Sequence, residues 1–387
     1  MERPGPWPMT FGSESITPRP ERTGEAPTRT DGFGADLLAV LRDHRLFIAL
    51  ILGYTGAGWL TTVLIGAQER FAPFLYSQTM GIVMALFLVA FFGGYPIYVM
   101  AVVRPKRLTA YVVANMRDRF LTRRRLLGAL PVLVFIPVFL GAFTSLKTLI
   151  PVINPYGWDV AFAGWDRLLH GGLDPWRLLQ PLLGHPLISA SINVTYNSWL
   201  VVLYIVLLWQ TFSARDPRLR MRFLLTFVLA WIVLGTIAAT ALSSAGPVYF
   251  GRVTGVEDPF APLMAYLRSV NEIYPVGALN AQEYLWKIYQ DGGSAPGSGI
   301  SAMPSLHVAM VFLFALVGWR SGPVAGIALT AYAVIIFIGS VHLGWHYAID
   351  GYLGIAGVWL IWKFAGFVLG RPAPAPGRER SVVSDRT

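Results

Sequence analysis

The sequence predicts an all-α integral membrane protein with about eight transmembrane helices, and three observations lead there. Of its 387 residues, 55% are hydrophobic and 13% charged, and the mean hydropathy is +0.54; a soluble domain spends about 25% of its residues on charge. Apolar segments recur at lengths near the roughly 20 residues a helix needs to cross a bilayer. Lys and Arg are segregated between alternate loops. A water-soluble globule and a disordered chain are both excluded on this composition. The absence of Cys removes disulfide frameworks, thiolate zinc sites and cysteine nucleophiles. A net charge of +10 fits nucleic acid or an anionic membrane face, and the placement of the charges decides between them.

Residues 1–35 are rich in Pro, Gly, Thr and Arg without an apolar run, so 1–43 reads as a disordered cytoplasmic tail. It lacks the apolar core of a signal peptide, and no cleavage is expected. Apolar segments follow at about 46–65, 80–103, 126–150, 188–209, 223–243, 303–319, 324–341 and 347–367. The last three are close to the minimum spanning length. The chain thus divides into the tail, two N-terminal spans with a basic loop over 44–125, a catalytic membrane domain over 126–367, and a polar, Pro-rich cytoplasmic tail over 368–387.

Charge placement supports this division. Of the 31 Lys and Arg residues, 24 fall on one set of alternating loops and tails and 6 on the other, with Lys147 inside the third span. By the positive-inside rule both termini are cytoplasmic. No nucleic-acid partner is expected. The cluster Arg117, Arg119, Arg123, Arg124 and Arg125 abuts a span, where it can meet anionic lipid headgroups. Two non-cytoplasmic loops are long, and loops of that length are usually functional or disordered. The first, 151–186, carries Trp158, Trp165 and Trp176, as in helices lying in the headgroup layer. The second, 247–302, holds a helical-looking piece at 281–290 and then a glycine-rich, flexible stretch at 292–299.

Two motifs carry chemistry. Ser301-Ala302-Met303-Pro304-Ser305-Leu306-His307-Val308-Ala309 reads as a helix start, with His307 within about two turns of the N-terminus. Free N–H groups there favour an anion. In Gly339-Ser340-Val341-His342-Leu343-Gly344-Trp345-His346-Tyr347-Ala348-Ile349-Asp350-Gly351, His346 and Asp350 are four apart on one helix face. A carboxylate bonded to one ring nitrogen makes the other a better nucleophile or base. The topology puts both motifs at the non-cytoplasmic face. The set fits phosphoryl transfer: His346 attacks phosphorus, His307 protonates the leaving oxygen and then activates the acceptor, and Asp350 orients His346. Set against this, a lone His in a span is ordinarily a packing residue, and a His/Asp pair can simply tie helices together. Two His and one Asp make a sparse metal set, and no metal is expected.

Pro304-Ser305-Leu306-His307 and His346-Tyr347-Ala348-Ile349-Asp350 resemble the second and third motifs of the type-2 phosphatidic acid phosphatase superfamily. The run from Ile300 to Ala309 is similar to its branch containing the inositol phosphorylceramide and sphingomyelin synthases. The resemblance covers roughly 130–365. It implies a six-helix catalytic bundle and a metal- and cofactor-independent enzyme, with His346 as nucleophile, His307 as acid/base and Asp350 as its orienting residue. Phosphatase members usually bind phosphate with Lys, Arg-Pro and a further Arg. Here Ala239, Gly246-Pro247 and Ser340 stand at those places, as they do in the synthase branch.

Other residues must then hold the phosphate. The candidates are Ser305 and Tyr249 in the motif loops, Lys147 near the outer end of the third span, Arg252, His342 one turn before His346, and Asn197 near the outer end of the fourth span. Each has a plain alternative: Lys147 can snorkel, Arg252 can be an ordinary loop residue, and Asn197 can join helices. The expected activity is transfer of a phosphorylated headgroup from a donor lipid to a lipid alcohol, both drawn from the membrane. The alternatives are a lipid phosphate or polyprenyl pyrophosphate phosphatase and, from another class, a non-catalytic transporter or scaffold. A transporter is disfavoured by the absence of an internal repeat.

Overall fold

The computed structural model describes residues 32–370, and most of both predicted tails (1–31 and 371–387) lies outside the described residues. The chain forms a helical membrane protein. In order come α1 (Phe33–Asp43), α2 (Arg45–Leu64), α3 (Ser77–Tyr98), α4 (Leu108–Asn115), α5 (Arg123–Ile153), α6 (Asp159–Leu169), α7 (Pro175–Leu183), α8 (Pro186–Asn197), α9 (Trp199–Thr211) and α10 (Pro217–Ile232). The short α11 (Ala239–Ala241) and α12 (Phe250–Thr254) follow, then α13 (Ala261–Asn271), α14 (Gly277–Asp291), α15 (Leu306–Ser321), α16 (Pro323–His342) and α17 (Ala348–Val368). Among the described residues, seven helices are long and apolar enough to cross a membrane.

Three expectations need correction. Residues 33–43, assigned to the disordered tail, form α1; the Pro- and Gly-rich composition gives way there to an amphipathic run, anchored by an Asp36–Arg123 ion pair at 3.0 Å. The span expected at 303–319 is α15, of only 16 residues, about 24 Å long. Pro304 and the Ser305 cap delay its start, and Gly322 stops it at φ 151°. Nine of its 16 residues are buried, so α15 is a shorter and more enclosed helix than the span expected there. The stretch at 292–299 is pinned, its Gly297 N–H donating to the Tyr76 hydroxyl at 2.7 Å.

The core lies between α5, α10, α15 and α17, with Phe139, Phe143, Phe223, Phe227, Phe314 and Val358 at its centre. α5 carries Pro131, Pro137 and Pro151, tolerable where neighbouring helices re-satisfy freed backbone groups. α15 and α16 form a hairpin at Gly322. α16 is four residues longer than α15. Close approach of α15 and α17 depends on Gly354: a Cβ there would stand 2.7 Å from the Ser305 carbonyl oxygen. The span expected at 188–209 is broken at Ser198 into α8 and α9.

Candidate active site

Both motifs are helix starts. The Ser305 side chain caps α15, its hydroxyl accepting the Val308 N–H at 3.4 Å. α17 opens with a capping box built by Tyr347 and Asp350, which satisfies N–H groups that a helix start leaves unpaired. The Ser305 N–H donates to the Asp350 carbonyl at 3.0 Å, so the two motifs are joined directly. His307, in the first turn of α15, faces the loop residue His346 with ring centroids 5.8 Å apart at 62°.

His346 Nδ1 donates to Asp350 Oδ2 at 3.1 Å, and the same oxygen accepts the Tyr347 N–H at 3.0 Å. This leaves His346 Nε2 as the ring nitrogen that the carboxylate does not engage. Burial lowers the His346 pKa to about 3; nearby Lys147 pushes the same way, and a bond to the Ala302 backbone opposes both. The imidazole is therefore neutral at pH 7. Lys147 is half-buried and within charge–charge range of both histidines. Gly299, at φ +93°, covers its stem: a Cβ there would come 2.8 Å from Lys147 Cγ.

Aromatic rings wall the site. The break at Ser198 brings Trp199 to 4.3 Å and Tyr196 to 5.4 Å from the His307 ring, between centroids. Tyr196 also stacks on Trp345 at 6.4 Å. The Tyr196 hydroxyl and Trp345 Nε1 are buried without a hydrogen-bond partner among the described residues.

Two aspartates that the sequence reading passed over hold this assembly together. Asp159, Phe162, Ala163 and Asp166 form the buried stripe of α6. Asp159 accepts the Ala245 and Gly246 N–H groups at 2.9 and 2.8 Å and the Tyr347 hydroxyl at 2.8 Å. Asp166 accepts the Ala348 and Ile349 N–H groups at 2.8 and 3.0 Å. α6 thus ties the 244–247 turn to the start of α17. Gly246 is needed in that turn: its φ is +98°, and a Cβ would stand 2.8 Å from the Trp345 carbonyl oxygen. Burial raises the pKa of both carboxyls, opposed by these N–H bonds and, for Asp159, by the Tyr347 hydroxyl. On its other face α6 exposes Val160, Trp165, Leu168 and Leu169, as a helix lying in the membrane interface does.

Of the nine site residues named from sequence, the structure brings together His307, His346, Asp350, Ser305 and Lys147. Ser305 is spent on its cap and is fully buried. The other four are committed elsewhere. Arg252 pairs with Glu283 and lies 5.1 Å over the Trp286 ring. The Tyr249 hydroxyl donates to the Gln282 carbonyl at 2.8 Å. His342 turns to the other side of α16, its Nε2 sharing a hydrogen bond with the Ser189 hydroxyl at 2.8 Å. The Asn197 amide donates to Asn193 Oδ1 at 3.1 Å, which also accepts the Ala278 N–H, so this pair joins α8 to α14.

A model of the PAP2 superfamily matches residues 160–365, a little more than half of the chain. The matched stretch opens on α6 and closes near the end of α17, and so includes both motifs. No curated protein and no solved structure matches the chain.

Proposed function

This chain belongs to the PAP2 superfamily, whose members are phosphatases or phosphotransferases, and from that premise we propose that it is a lipid phosphotransferase. It moves a phosphorylated headgroup from a donor phospholipid to a lipid alcohol, in the manner of an inositol phosphorylceramide synthase. The observation that carries this reading is the buried His346–Asp350 pair facing His307, with Ala239 and Ser340 standing where a phosphatase of this superfamily is expected to carry basic residues.

In the first step His346 Nε2 attacks phosphorus. The bond from phosphorus to the donor's glycerol oxygen breaks, and His307 gives that oxygen its proton. Neutral His307 then takes the proton of the acceptor hydroxyl, whose oxygen attacks phosphorus and releases His346. Asp350 orients His346 and stabilises the charge on its ring. Lys147 is the cation that faces the phosphate, and the unpartnered Tyr196 hydroxyl and Trp345 N–H are its added donors. The aromatic wall around His307 admits a lipid alcohol and limits water. The basic loops lie in the cytoplasm with both termini, and the reaction runs at the opposite face of the membrane.

Purified protein in vesicles, given a donor phospholipid with a labelled headgroup, tests the reading. Label should pass to ceramide, diacylglycerol or a polyprenol only when that alcohol is present. Rapid release of the water-soluble phosphorylated headgroup, independent of any acceptor, would make the chain a hydrolase. Retention of activity by folded His346→Ala protein would remove the phosphohistidine.

A further inference from the structure

A second apolar space lies away from the histidines. A groove of about 1,730 Å³ runs between α3 and the bundle, walled by residues such as Phe87, Leu133 and Leu200. This exceeds the roughly 300–1,000 Å³ of an ordinary small-molecule pocket. α3 stands apart from the bundle, with 6% of its apolar stretch buried. The groove therefore opens sideways to the bilayer.

Its mouth is basic. Arg125, Arg215, Arg218 and Arg320 line that end. Arg125 Nε is buried without a hydrogen-bond partner, its Nη1 donates to the Arg119 carbonyl at 2.6 Å, and its guanidinium lies 5.6 Å over the Phe120 ring. Among the described residues, Arg125, Arg215 and Arg320 form no ion pair. Asp216, the acidic wall residue, is engaged in capping α10, its Oδ1 accepting the Arg218 and Leu219 N–H groups. Arg125 and Lys147 stand 22 residues apart on α5, about 33 Å along its axis, close to the roughly 30 Å of a bilayer's hydrocarbon core. The basic mouth and the histidines thus lie at opposite membrane faces.

We propose that this groove binds an anionic diacyl phospholipid of the leaflet opposite the active site, with its chains between α3, α5 and α9 and its phosphate among Arg125, Arg215 and Arg320. An apolar trough ending in guanidinium groups that form no ion pair matches that chemistry at both ends. At this distance from His346 the lipid is not a substrate; it fills the space that α3 leaves open.

The test uses lipid-stripped full-length protein in detergent, titrated with phosphatidylglycerol or phosphatidylcholine, with bound lipid counted by mass spectrometry. Phosphatidylglycerol should be retained at about one per chain, and phosphatidylcholine far more weakly. The double variant Arg125→Gln/Arg320→Gln should bind phosphatidylglycerol about 30-fold more weakly. Ala90→Trp, which fills the groove from the exposed side of α3, should abolish binding. Arg124→Gln, exposed beside Arg125 but outside the groove, should bind as the parent does. Equal retention of both lipids, or equal weakening by Arg124→Gln, would reduce the site to ordinary lipid contact and overturn the proposal. So would a dimer that Ala90→Trp breaks while no lipid is retained. Headgroup-transfer activity is not a readout here, so the lipid site and the transferase reading fail separately.

Discussion

In the proposed mechanism, burial of His346 at the head of α17 sets the pH range in which its imidazole is free to attack. A histidine in water titrates near 6.5. Burial first, and Lys147 second, hold this ring well below that. The neutral, reactive form therefore persists in mild acid, and the acid limb of kcat/KM should fall clearly below pH 6.5. Stability follows the same sign. The unfolded chain takes up the proton near 6.5 and the folded ring does not, so the fold loses stability as pH drops below that value. Lys147→Met should move the acid limb upward, because one of the two depressing causes is gone. It should also lower kcat/KM by about 10²-fold, as the charge facing the phosphate is lost. A pH–rate series on the two proteins measures both effects. A limb that stays in place in Lys147→Met would separate Lys147 from His346. His307→Gln should cost about 10²–10⁴-fold in rate, the usual share of a positioned acid–base group.

At the scale of elements, α6 is the part of the site that the sequence conceals. The meeting of His307, His346 and Asp350 was legible because their spacing places them at two helix starts. Asp159 and Asp166 leave no comparable signal. Apart from the Tyr347 hydroxyl on Asp159, their partners are the backbone N–H groups of Ala245, Gly246, Ala348 and Ile349, and a backbone donor is the same whatever residue carries it. The loop's Trp content marked it as interfacial, yet nothing in composition tells that its opposite face is clamped to α17. Arg252 and His342 misled for the complementary reason: their charge and motif position suit phosphate, while Glu283 and Ser189, which engage them, are remote in sequence. Asp166→Ala should leave two buried N–H groups unpaired at about 1–3 kcal/mol each and remove a favourable negative charge from the start of α17. Thermal unfolding in detergent should show a marked loss of stability. Asp166→Asn keeps an oxygen acceptor and should lose less. Equal unfolding temperatures for parent and Asp166→Ala would mean that α6 does not clamp α17.

Across the whole molecule, the histidines and the basic loops lie at opposite ends of α5, and this makes the proposed orientation open to direct test. α5 begins at Arg123 beside the Arg-rich loop and carries Lys147 to the histidines. The sequence alone foresaw this polarity, because 24 of 31 basic residues occupy one set of loops. It did not foresee how short α15 is, since that depends on where Ser305 and Gly322 end it. That shortness matters to the site, because the late start of α15 sets His307 among the rings of Trp199 and Tyr196. The natural chain has no Cys, so a single introduced thiol reports one position. Asp291 ends α14 on the histidine side and is exposed; Arg107 is exposed in the basic loop. In intact cells, a membrane-impermeant maleimide should label Asp291→Cys protein and spare Arg107→Cys protein until the membrane is opened. The positive-inside rule predicts this order, with the Arg-rich loop kept in the cytoplasm. The reverse pattern would place the histidines at the cytoplasmic face, and the donor and acceptor lipids would then have to come from the inner leaflet.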